Sequence, residues 1–89
     1  MHSAQHRRQR AASASLRETS TAAGFELHEH SAGFHAFSPQ YVILALDEGA
    51  IWSIYPRSGP LLRLAGGCGV DELDAVLAIL TPSRFMYAP

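Results

Sequence analysis

Apolar and polar positions alternate from Phe25 onward, with Phe25 and Leu27 on one side and Glu26, His28 and His30 on the other. That is the period of a half-buried strand over residues 25–31. Ser31-Ala32-Gly33 supplies turn chemistry, and residues 34–38 resume as a second strand that Pro39 ends. The next run, YVILAL (41–46), is apolar throughout. Asp47-Glu48-Gly49 then predicts a turn, and AIWSIY (50–55) runs back until Pro56. Residues 61–65 read as a last short strand, and GGCG separates it from a helix. Within that helix Leu73, Val76, Leu77 and Leu80 keep the helical period, Asp71 suits the N-cap, Glu72 and Asp74 suit the positive end of the dipole, and Thr81-Pro82 ends it. The pattern predicts an α+β fold: an antiparallel β-meander of four to five strands with one C-terminal amphipathic helix packed on one face.

Residues 1–24 show no such rhythm. Leu16 is the one large apolar residue after Met1, and alanine-rich helix with nothing to bury is weak. The expectation is a disordered or marginally helical basic arm over 1–24, ending near Gly24. A single α+β domain over 25–82 and a short tail over 83–89 follow. With 89 residues the chain makes one domain at most, and its core alone is only marginally stable.

The two central strands pose a packing problem. A two-residue turn at Glu48-Gly49 sets Leu46 opposite Ile51, Leu44 opposite Ser53 and Val42 opposite Tyr55 on one side. It sets Ala45 opposite Trp52 and Ile43 opposite Ile54 on the other. Both sides are apolar, whereas an antiparallel sheet ordinarily wets one face. One helix covers one face. The expectation is that the second face, with Tyr41, Ile43, Trp52 and Ile54, meets a protein partner or another copy of the chain, and that the tail aromatics Phe85 and Tyr87 join that surface. The competing expectation is that the tail RFMYAP folds back and closes the face itself.

Charge adds an asymmetry. Arg7, Arg8, Arg10 and Arg17 stand in residues 1–17 with no acid, giving +4, while residues 18–89 set eight acids against Arg57, Arg63 and Arg84, giving −5. The arm could therefore touch nucleic-acid phosphates through Arg7, Arg8 and Arg10, although no RNA- or DNA-binding signature accompanies it. The absence of Lys and Asn points to a GC-rich bacterial or phage genome. The lone Cys68 excludes an internal disulfide framework and a multi-cysteine zinc module. No apolar run is long enough to span a bilayer, the N-terminus lacks the apolar segment of a signal peptide, and the cytoplasm is the expected location.

Candidate chemistry is sparse. His28 and His30 share a strand face and His35 lies across the turn, so three imidazoles could ligate a metal. A solvated strand face accounts for them more simply, and neither metal nor cofactor is expected. Cys68 precedes a helix, but Asp71, Glu72 and Asp74 oppose a thiolate there. The same carboxylates repel phosphate from the Gly-rich loop. No paired carboxylates, triad or cofactor fingerprint stands out, and no small-molecule substrate is expected.

The chain is therefore expected to be a non-enzymatic interaction module, an inhibitor or regulator that docks on a macromolecular partner or homodimerises. In size, lone domain and lack of catalytic motifs it resembles in kind the small inhibitors that phages and mobile elements direct at host machinery, anti-CRISPR proteins included. No motif ties it to one family. A nucleic-acid-associated regulator using the arginine arm is the alternative reading, and a metal-binding module through the histidines is a third.

Overall fold

The predicted meander forms, and it has five strands. The computed structural model describes residues 2–81, with side chains from residue 12 onward. Helix α1 (His2–Ala22) leads into β1 (Glu26–His30), β2 (Gly33–Phe37), β3 (Tyr41–Leu46), a 3₁₀ turn (Glu48–Ala50), β4 (Ile51–Pro56), β5 (Ala65–Cys68) and helix α2 (Val70–Leu80). The strands lie in the order β1-β2-β3-β4-β5, all neighbours antiparallel. All five cross-strand pairs expected for β3 and β4 are present: Leu46 with Ile51, Leu44 with Ser53, Val42 with Tyr55, Ala45 with Trp52 and Ile43 with Ile54. The chain reverses between them by a bond from the Ala50 N–H to the Asp47 carbonyl at 3.1 Å.

The last strand differs from its expected place. It begins at Ala65 instead of ending there, so the glycines taken for a spacer are strand residues. Gly67 pairs with Trp52 across the sheet, in ordinary contact with the indole ring. The indole N–H in turn donates to the Gly69 carbonyl at 3.1 Å, fixing the start of α2. Asp71 lies in the first turn of α2 and is not its cap. Gly69 holds the N-cap position, and the Glu72 carboxylate accepts the Cys68 N–H at 3.2 Å.

Helix α1 corrects the expectation of an arm with nothing to bury. Its inner face consists of small residues around one leucine: Ala12, Ser13, Leu16 and Ser20, with Ala23 just past its end and Leu16 and Ser20 fully buried. These positions recur at helical spacing, and their small side chains let α1 approach α2 closely. The helix ends in a Schellman motif. The Phe25 N–H donates to the Ser20 carbonyl at 3.0 Å and the Gly24 N–H to that of Thr21 at 2.9 Å, with Gly24 at φ 92°. The Ser20 hydroxyl is buried without a hydrogen-bond partner. Ser20→Ala is therefore expected to leave stability unchanged or raise it by about 1 kcal/mol, read as the urea midpoint.

Both helices lie on the same face of the sheet. The core joins Leu16 of α1 and Leu73 and Leu77 of α2 to Phe25, Phe34, Ala36, Ile43, Ala45, Trp52 and Ile54. At one edge Arg17 closes this layer. It donates to both Glu29 carboxylate oxygens at 2.8 and 2.9 Å and to Asp47 at 2.9 Å, and lies 4.9 Å from the Phe34 ring centroid. One cation thus ties α1 to β1 and to the β3–β4 turn.

Hydrogen bonding from Arg17 holds the Glu29 carboxyl below its ordinary value of 4.5. A depressed carboxyl stabilises the fold above that ordinary value, and its contribution disappears as pH falls through the lowered value. Glu29 is more than half exposed, so the contribution is about 1 kcal/mol at most. Arg17→Gln should reduce the loss of stability between neutral pH and about pH 3 by that amount, measured by urea unfolding along a pH series.

Candidate functional site

With both helices on one face, the other is open, and the register assembles it in three rows. The first runs Glu26, Phe37, Val42, Tyr55; the second His28, His35, Leu44, Ser53, Gly66; the third His30, Gly33, Leu46, Ile51, Cys68. Leu44, Leu46 and Ile51 are 39, 47 and 49% exposed. Together with His30, His35 and Ser53 they line a shallow depression of about 290 Å³.

Permanent charges sit at one rim, at Glu26 and Arg57, and at Gly66, where the Arg63 guanidinium lies beside Ser53. Glu26 pairs with His28 at 2.9 Å. Arg57, just beyond β4, lies 5.4 Å from the Phe37 ring centroid and donates to the Ser38 carbonyl at 2.9 Å. The second and third rows carry neither Lys, Arg, Asp nor Glu. The imidazoles of His30 and His35 lie 4.8 Å apart between centroids, and Nδ1 of His30 accepts the Ala32 N–H at 3.2 Å.

This arrangement reverses the expected assignment of faces. Ile43, Trp52 and Ile54, expected at the docking surface, are 0, 1 and 0% exposed in the core. Tyr41 is half-buried with them, its hydroxyl 3.5 Å from the Leu80 carbonyl at the end of α2. The physical cause is continuity across the whole meander. Phe34 and Ala36 of β2 extend the Trp52 side with apolar residues, while His35 brings the polar side of the first hairpin next to Leu44. The helices cover the side that is apolar on β2, β3 and β4, with Glu29 of β1 at its edge held by Arg17. Phe85 and Tyr87 lie outside the described residues, as does the rest of the tail.

His28, His30 and His35 do share a face, as the alternation implied. They do not converge as ligands: among the described residues no group of three or more His, Cys, Asp or Glu side chains is placed to hold a metal ion. Arg7, Arg8 and Arg10 lie in the first half of α1. Arg17, counted with them by charge, is committed to Glu29 and Asp47. Cys68 is exposed at the end of the third row, and the Glu72 carboxylate occupies the adjacent helix start. Among the described residues no helix is long and apolar enough to cross a membrane.

The residues that sequence reasoning passed over as docking candidates are Leu44, Leu46 and Ile51. The signal for them was available in the alternation, carried from β1 through β2 to β3. Compared with known proteins, the chain matches no family model, no curated protein and no solved structure.

Proposed function

We propose that this chain is a small non-enzymatic interaction module that docks on a macromolecular partner through the open face of its sheet. The observation that supports this is the uncovered apolar patch of Leu44, Leu46 and Ile51 on a sheet whose other face is already closed by two helices. Covering these three half-exposed side chains would contribute about 1 kcal/mol each, which favours a bound state over a solvated one. An inhibitor or regulator works by such occlusion, with affinity concentrated in a few apolar anchors surrounded by polar groups.

The test compares capture by the full chain and by its Ile51→Glu variant from extracts of a bacterial host, with thermal melts of both. Capture of a defined protein by the wild type, lost in a variant that melts normally, would support the reading. Capture that is indifferent to Ile51→Glu, or none beyond the chain itself with Leu44, Leu46 and Ile51 freely accessible, would refute it.

A further inference from the structure

Resting on the reading of the open face as a docking surface, we infer that its occupant is a short acidic segment of a partner protein, carrying carboxylates beside apolar side chains. Charge selects the sign of the partner. The Arg57 guanidinium lies 5.4 Å from the Phe37 ring centroid, and that of Arg63 lies beside Ser53, which lines the depression. Among the described residues neither is paired with a carboxylate, whereas Arg17 on the covered side holds two.

The acids are distributed the opposite way. Of the chain's eight, only Glu26 takes a face position on these strands, and it is paired with His28. Four others belong to the helices on the far side, Arg17 holds Glu29 and Asp47, and Glu48 stands in the β3–β4 turn. A body whose residues 18–89 total −5 thus turns two uncompensated arginines toward its uncovered face. An acidic segment is complemented there and repelled by the carboxylates elsewhere on the body.

The face offers such a segment two kinds of contact. Leu44, Leu46 and Ile51 line the depression beside Ser53 and receive apolar side chains. Each guanidinium can donate two parallel N–H bonds to one carboxylate. Nδ1 of His30 accepts the Ala32 N–H, so in the neutral ring Nε2 bears the hydrogen and supplies a further donor. A basic segment meets two like charges. A nucleic acid finds only two cations to neutralise, around an aliphatic floor that stacks no base.

Area sets the size of the occupant. Five strands of about five residues present a face of about 24 by 17 Å, on the order of 400 Å². That is about half of what each folded partner buries in a standard stable interface. It matches about seven residues of extended chain or about eleven of helix.

Panning the full chain against phage-displayed random peptides of about 12 residues tests this. Selection should enrich sequences in which Asp or Glu stand next to Leu, Ile, Phe or Trp. A synthetic copy of an enriched peptide should bind in fluorescence anisotropy, and more weakly as salt is raised. Arg63 is exposed and holds no carboxylate, so Arg63→Glu should melt like the wild type while binding the peptide at least about tenfold more weakly. Ile51→Glu should lose the peptide as well.

No enrichment, enrichment of basic or uncharged sequences, or peptide binding indifferent to Arg63→Glu overturns the acidic partner. A single-stranded oligonucleotide that displaces the peptide from the wild type and is itself lost with Arg63→Glu assigns the arginines to phosphate and overturns it too. A monomer–dimer equilibrium in sedimentation velocity that Ile51→Glu abolishes makes a second copy the occupant, with the same consequence. In each case the docking face itself is decided separately, by the capture comparison with Ile51→Glu.

Discussion

Trp52→Ala is expected to lower stability by about 3–5 kcal/mol, enough to leave much of this small domain unfolded at room temperature. Trp52 is 1% exposed, the largest buried side chain, and its indole N–H holds the Gly69 carbonyl at 3.1 Å. Truncation removes the ring between Ala45 and Gly67, two neighbours too small to refill the space. It also leaves the α2 start without its tie to β4. Equilibrium urea unfolding followed by circular dichroism reads the change. A variant that keeps its midpoint would show that Trp52 is not a core residue.

Leu16→Ala comes second, with an expected loss of about 2–5 kcal/mol. Leu16 is fully buried, and its companions on the inner face of α1 are alanine and serine. No other large apolar side chain on α1 from residue 12 onward anchors the helix to the core. Alanine is the better helix former, so intrinsic propensity opposes the loss and the measured change isolates packing. Hydrogen exchange should show the α1 amides losing protection first, since α1 depends on this one anchor and on the Arg17 ties. Uniform protection across α1 and the sheet would contradict that dependence.

The strands were legible because alternation and turn residues are local. The β3–β4 register followed from the turn alone. What local pattern does not carry is which side of YVILAL and AIWSIY receives the helices, since both sides are apolar in that hairpin taken by itself. The decision belongs to β2, where Phe34 and Ala36 continue one side and His35 interrupts the other. Helix α1 escaped notice for a different reason. Hydrophobic periodicity detects large apolar stripes, whereas α1 buries small ones, and the residue that binds it to the sheet edge, Arg17, reads in sequence as one more charge of a basic arm. The GGC strand was missed because glycine ordinarily weakens strands, and its pairing with Ile51, Trp52 and Ser53 belongs to the sheet, not to the local sequence.

The docking reading depends on which face of the sheet is core and which is open. Ile51 and Ile54 test this with matched chemistry, standing on one strand with opposite directions, 49% and 0% exposed. A thermal melt of Ile51→Glu beside that of Ile54→Glu is the most direct measurement. The structure predicts a near-native transition for Ile51→Glu, because a surface change shifts stability by only about 0.5 kcal/mol. It predicts no cooperative transition for Ile54→Glu, because an unpaired carboxylate cannot be accommodated in the core. A folded Ile54→Glu together with an unfolded Ile51→Glu would contradict the assignment of faces.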